Sequence, residues 1–149
     1  MTLDDDSCST DYEKLQEAGI SIGKGRSPIR DWTDGKAIPL YTELCHKLGE
    51  DINTAILLQQ FCFLSSFAVT KNFWFYKSIK MLGEETCLSR YQQNRSIKKL
   101  ISLGLIEFRL SRTKFGYGYA RFFRVNFINL ERFLEGRGYD SCMGLNDLM

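Results

Sequence analysis

The residues with the clearest chemical purpose lie in the stretch RYQQNRSIKKLISL, where Arg90, Arg95, Lys98 and Lys99 alternate with Tyr91 and Asn94. At about 100° per residue, Gln93, Ser96, Ile97, Leu100 and Leu103 fall on one side of a helix, which must face a core. The opposite side collects Tyr91, Asn94, Arg95, Lys98 and Lys99, with Arg90 flanking at its start and Ser102 further on. Arg and Lys neutralise phosphates, Tyr, Asn and Gln hydrogen-bond base edges, and a DNA major groove admits a helix. A charged helix face is usually only solvated, but this mixture points to DNA. Downstream, Arg109, Arg112, Lys114 and Arg121 stand beside Phe115, Tyr117 and Tyr119, interleaving cations with flat rings around the tip of a hairpin. Such a tip reaches phosphates or a neighbouring groove.

Charge along the chain agrees with this placement. The net charge is only +2, yet residues 1–51 hold eleven acids against six bases, a net −5, while 71–124 hold twelve bases against three acids, a net +9. The last 25 residues add −2. A basic block of this density suits a polyanion, because neutralising phosphates releases condensed counterions. Catalysis finds little support. The one His, His46, cannot assemble a nucleophile, base and orienter, and no paired carboxylates stand near the basic region. The five cysteines are scattered without a CxxC pair, so neither a disulfide framework nor a zinc site is expected, and no cofactor. Cys62 and Cys87 sit among apolar residues as small hydrophobes. The longest apolar run, 56–69, is interrupted by Gln59, Gln60, Ser65 and Ser66 and is shorter than the roughly 20 residues that span a bilayer. The amino terminus, MTLDDDSCST, is acidic where a secretory signal is basic, so no membrane and a cytoplasmic location are expected.

The elements that must position these groups can be read along the chain. Residues 1–38 are an acidic lead-in with a GKGRSP turn; the spacing of Gly19, Gly23, Lys24 and Gly25 is one residue short of a phosphate loop, lacks the Ser/Thr after Lys and follows no convincing strand. Pro39 opens a first helix, LYTELCHKL, stopped at Gly49. Asp51 or Asn53 caps a second, running to about Phe67, whose apolar residues cover most of its circumference and make it a buried spine. A short strand is expected at 73–76, then Ser78 caps IKMLGEE. Ser89 and Gln92 form a capping box that opens the fourth helix, ended by Gly104. LIEFRL and YARFFRVNF read as two strands of a hairpin around Gly116 and Gly118, with Phe122 or Phe123 and Val125 packing inward. A last helix, 130–134, takes Asn129 as its cap.

The segment LSRYQQNRSIKKLISLGLIE resembles the recognition-helix signature of winged helix-turn-helix proteins. Leu88, Ile97, Leu100, Leu103 and the pair Leu105 and Ile106 occupy that family's core positions, and Gly104 the turn into the wing. Gln93 departs from it, standing where the family usually has Val or a similar apolar residue. Upstream, GEDINTAILLQQFCFL followed by WFYKSIKMLGEETCLSRYQ is similar to the amino-terminal domains of phage and plasmid replication proteins, the replisome-organiser group. Together these cover roughly residues 39–134. The resemblance implies an α+β, mainly helical fold, a winged helix-turn-helix with a β-hairpin wing and additional N- and C-terminal helices. That domain is expected over 39–136, between an acidic, loosely structured arm (1–38) and a C-terminal tail (137–149). The implied function is sequence-specific binding of double-stranded DNA, in replication initiation or transcriptional regulation of a phage- or plasmid-like element. Arg90, Tyr91, Asn94, Arg95, Lys98 and Lys99 on the helix, with Arg109, Arg112, Lys114, Tyr117 and Arg121 on the hairpin, form the expected DNA-binding set. A lone winged helix covers few base pairs, so a homodimer on a two-fold site is expected. The alternative is a docking module for a replication or regulatory protein, with the acidic arm binding a partner or masking the basic face.

Overall fold

The computed structural model describes residues 13–21, 23–112 and 118–136. The chain divides into two compact units, Met1–Ala37 and Ile38–Met149. In the first, residues 13–17 are helical and Ile29–Trp32 make a single turn that buries nothing. The second is an α+β unit with the order α1 (Thr42–Lys47), α2 (Ile52–Ser66), β1 (Phe75–Tyr76), α3 (Ile79–Thr86), α4 (Arg90–Ser102), β2 (Ile106–Arg112), β3 (Tyr119–Val125) and α5 (Phe127–Glu135). Among the described residues no helix is long and apolar enough to cross a membrane.

Short polar side chains start four of these helices. Asp51, Ser78, Ser89 and Asn126 each accept the backbone N–H three residues on, from Thr54, Met81, Gln92 and Asn129, at 3.0–3.2 Å. Each satisfies one of the orphan donors of a first turn, an effect of about 1 kcal/mol per cap. At its far end α4 stops at Gly104, which takes a left-handed φ of +74°. A Cβ there would meet the Asn129 amide at 3.4 Å, and that amide donates to the Gly104 carbonyl at 2.9 Å, tying α5 to the end of α4.

α2 buries Thr54, Ala55, Leu57, Leu58, Phe61 and Ser65. Phe61 lies 5.1 Å from Phe75 and 4.9 Å from Phe123, ring to ring, and so joins α2 to β1 and β3. The sheet is antiparallel in the order β1-β3-β2, with Phe75 and Phe108 both registered against Phe123, and Ile106 against Val125. Alternation then sets two faces. Phe75, Ile106, Phe123 and Val125 turn to the core, whereas Tyr76, Glu107, Arg109, Phe122 and Arg124 turn away from it. Ser65 hydrogen-bonds two remote segments at once, donating to the Phe73 carbonyl and accepting the Val125 N–H, both at 3.1 Å. Apolar burial of side chains such as Leu57, Leu58, Leu82, Leu100 and Leu105 supplies the driving force, about 1.5–3 kcal/mol each.

Several boundaries differ from expectation, each for a physical reason. Pro39 does not open α1, which starts at Thr42. A helix through Leu40 and Tyr41 would bury neither, since both are exposed, and the fixed φ of Pro suits extended chain equally well. α5 begins at Phe127 on the Asn126 cap rather than at 130, because Asn129 is engaged with Gly104. β1 shortens to Phe75–Tyr76, the only two residues that register with β3. α2 is a spine on one side only: Ile52, Phe63 and Phe67 are exposed. Cys87 is exposed and closes α3 in a left-handed conformation, φ +62°. Cys62 is part-buried, and burial pushes its thiol up to about 12.

Candidate nucleic-acid interface

The rotation of α4 decides which side chains it can offer. Its first turn is set by a full capping box, with Gln92 N donating to Ser89 Oγ at 3.2 Å and Ser89 N donating to Gln92 Oε1 at 2.9 Å. Gln93, Ser96, Ile97 and Leu100 are buried. Gln93 Nε2 donates to the carbonyls of Ile79 and Leu88, at 3.1 and 3.0 Å, so the side chain that breaks the apolar pattern pins the turn between α3 and α4. The Ser96 hydroxyl donates to the Thr54 hydroxyl oxygen at 3.0 Å, the Thr54 proton being given to Asp51, and fixes α4 against α2.

That rotation leaves Arg90, Tyr91, Asn94, Arg95 and Lys98 exposed together along an open groove of about 580 Å³. Tyr91 is 75% exposed, far too open for a core aromatic. Arg95 also borders a second, polar hollow of about 340 Å³ at the corner between α1 and α2. Among the described residues none of these five side chains is held by a hydrogen bond or ion pair. The electrostatic character is cationic with neutral donors and acceptors between; α4 itself carries no carboxylate, while Glu50 and Asp51 line the hollow that Arg95 borders.

Lys99 is the exception on this helix. Its ammonium donates to the Leu48 carbonyl at 2.5 Å and to Asp51 Oδ2 at 3.0 Å, which stitches α4 to the corner where α2 begins. Asp51 also accepts from the Thr54 hydroxyl at 2.7 Å. Lys99 is therefore an internal tie, not one of the free cations, because its long stem lets the charge reach back to Asp51. Partial burial raises the Asp51 carboxyl, but the hydrogen bonds from Thr54 and Lys99, with the Lys99 charge, outweigh it and hold the group below its ordinary value. Its contribution to stability is thus complete above the unfolded value near ~3.9 and is lost as pH falls through the lower folded one. Asp51→Ala is expected to cost about 1–2 kcal/mol at neutral pH. In urea melts run at descending pH, the gap between variant and wild type should close in the acid range; a constant gap would contradict the pairing.

The hairpin divides its cations between the two faces. Arg109 lies on the outer face, its guanidinium 4.4 Å from the Trp74 ring and 5.7 Å from that of Phe122. Arg124 covers Trp74 at 4.8 Å and bonds Glu107 at 3.0 Å, so one indole has two arginines within cation–π range. Arg112 is exposed with its guanidinium 6.0 Å from Tyr119, and Arg121 stands on the inner face over Phe123 at 5.3 Å. Lys114 and Tyr117 lie outside the described residues. Trp74 and Arg124 are additions that sequence reading missed. Their signal is the antiparallel register, which places Glu107 opposite Arg124 and Arg109 opposite Phe122.

Comparison with protein families, with curated proteins and with solved structures finds no match for this chain. What the interface does has to be read from its own chemistry.

Proposed function

We propose that the chain is a winged helix protein that binds double-stranded DNA sequence-specifically, with α4 in the major groove and the hairpin as its wing. The observation that carries this reading is the open face of α4, where Arg90, Tyr91, Asn94, Arg95 and Lys98 lie exposed together while Gln93, Ser96, Ile97 and Leu100 anchor the opposite side. The order helix, strand, helix, helix, hairpin, with the first strand beside the last, supports the winged helix reading. Arg95, with Asn94 and Tyr91, reads bases; Arg90, Lys98, Arg112 and Arg121 act on phosphates. On the resemblance of residues 39–134 to replisome-organiser domains alone, the proposed role is replication initiation or transcriptional control of a phage- or plasmid-like element.

Two linked measurements test it. Duplex affinity should fall about a hundredfold between about 50 and about 200 mM salt, as four or so neutralised phosphates require. Site selection from a random pool should yield a motif with the wild type, and Arg95→Ala should lose about 1–3 kcal/mol on that motif but little on random DNA. Equal motifs at equal affinity would remove α4 as the reader. A second reading, a docking module, is favoured by the exposed pair Phe63 and Phe67, stacked edge to face at 4.9 Å beside exposed Val69. No binding to any duplex at low salt would favour it.

A further inference from the structure

The outer face of the sheet is composed unlike a merely solvated one. By alternation β2 and β3 set Glu107, Arg109, Ser111, Ala120, Phe122 and Arg124 on it. β1 adds Tyr76 in register with Phe122, their rings 5.9 Å apart. Trp74, just ahead of β1, carries the row onward, since the Arg109 guanidinium lies 5.7 Å from Phe122 and 4.4 Å from the indole. Flat groups therefore follow one another as Tyr76, Phe122, Arg109 and Trp74. Tyr76 is 44% exposed and Arg109 is exposed, so a ligand meets both directly. The face is also cationic. Arg124 neutralises Glu107 at 3.0 Å, and no acid among the described residues pairs with Arg109. β2 and β3 put no Leu, Ile, Val or Met on this side, the side chains through which an apolar protein surface packs. Bases stack on rings and on guanidinium planes whatever their sequence. In a duplex those faces are covered by neighbouring pairs, so only unpaired bases can use such a row.

We propose that the outer face of the sheet is a stacking platform for the unpaired bases of a single nucleic-acid strand. Tyr76 and Phe122 take bases, and Arg109, steadied by Trp74, supplies the cation that the strand's backbone requires. The platform is separate from the α4 surface and does not depend on the duplex reading.

The test uses the full chain and an oligothymidylate of about 15 nucleotides, beside an abasic strand of equal length. The wild type should bind the oligothymidylate at least about tenfold more tightly than the abasic strand, because the rings have no base to meet in the latter. Tyr76→Leu, which keeps an apolar side chain but removes the ring, and Arg109→Gln should each weaken oligothymidylate binding about tenfold. Tyr76→Leu should leave duplex affinity unchanged. With Trp32→Phe, Trp74 is the one remaining indole, and its emission should fall as the strand saturates. An oligouridylate of the same length tells the source of the strand, DNA or RNA, by which of the two binds more tightly. Full affinity in Tyr76→Leu, equal binding of the abasic strand, or unchanged Trp74 emission at saturation overturns the platform; the first of these fits an apolar protein partner instead. Oligothymidylate binding without duplex binding keeps the platform while the α4 reading falls, and duplex binding with no binding of either single strand overturns the platform alone.

Discussion

Phe61→Ala is expected to remove about 3–5 kcal/mol of folding stability. Phe61 is fully buried and touches the rings of both Phe75 and Phe123, one on each of the two strands that face α2. Truncation leaves a hole bounded by a helix and a sheet that cannot close on it together, since Ser65 already fixes α2 to β3 through the Val125 N–H. Denaturant unfolding should show a lower midpoint with an unchanged slope. A loss below about 1 kcal/mol would mean that α2 does not rest on the sheet through this residue, and the order of layers would have to be redrawn. The hairpin depends on the same contact, so a weakened Phe61 site should loosen the positions of Arg112 and Arg121 before it disturbs α4.

Gln93→Glu should be nearly as costly, about 3–5 kcal/mol at neutral pH. The wild-type amide donates to the Ile79 and Leu88 carbonyls from a site only 1% exposed. A carboxylate there faces two acceptors with nothing to give them. Its folded pKa must rise, so the charge-dependent part of the damage is absent below the unfolded value, about 4.3, and develops as pH climbs from there through the folded one. Protonated, the acid recovers one O–H donor. Melts at pH 7 and pH 5 should therefore differ far more for the variant than for the wild type. The result bears directly on recognition. Were α4 rotated so that Gln93 faced solvent, the change would stay within about 0.5 kcal/mol, and Tyr91, Asn94 and Arg95 would not share the open face.

What was legible in the sequence was local. Ser78, Ser89 with Gln92, and Gly104 act where their neighbours along the chain imply, because caps and helix stops are settled within four residues. The inward arc of α4 was readable from its spacing for the same reason. Pairings between distant segments were not. Lys99 lies three positions beyond Ser96, about 300° round the helix, which leaves it beside the buried arc, and only the fold reveals that Asp51 waits there, 48 residues away. Trp74 between Arg109 and Arg124 needed the strand register. Exposed Phe67 misled the reading of α2, since composition counts apolar residues but not how many have a neighbour.

The two hydrogen bonds of Ser65 also set an order of events during synthesis. α2 is made early, yet the N–H it receives belongs to Val125, 60 residues later. Closing so long a loop carries an entropy cost that grows with its length, and non-local pairing of this kind slows folding. α3 and α4, joined across a short turn by Gln93, can assemble as soon as both have left the ribosome. Phe61 has no complete cover until β3 emerges. The last strand to be translated thus does two things in one closing step: it shelters the aromatic centre of the nascent chain and sets Phe122 between Tyr76 and Arg109.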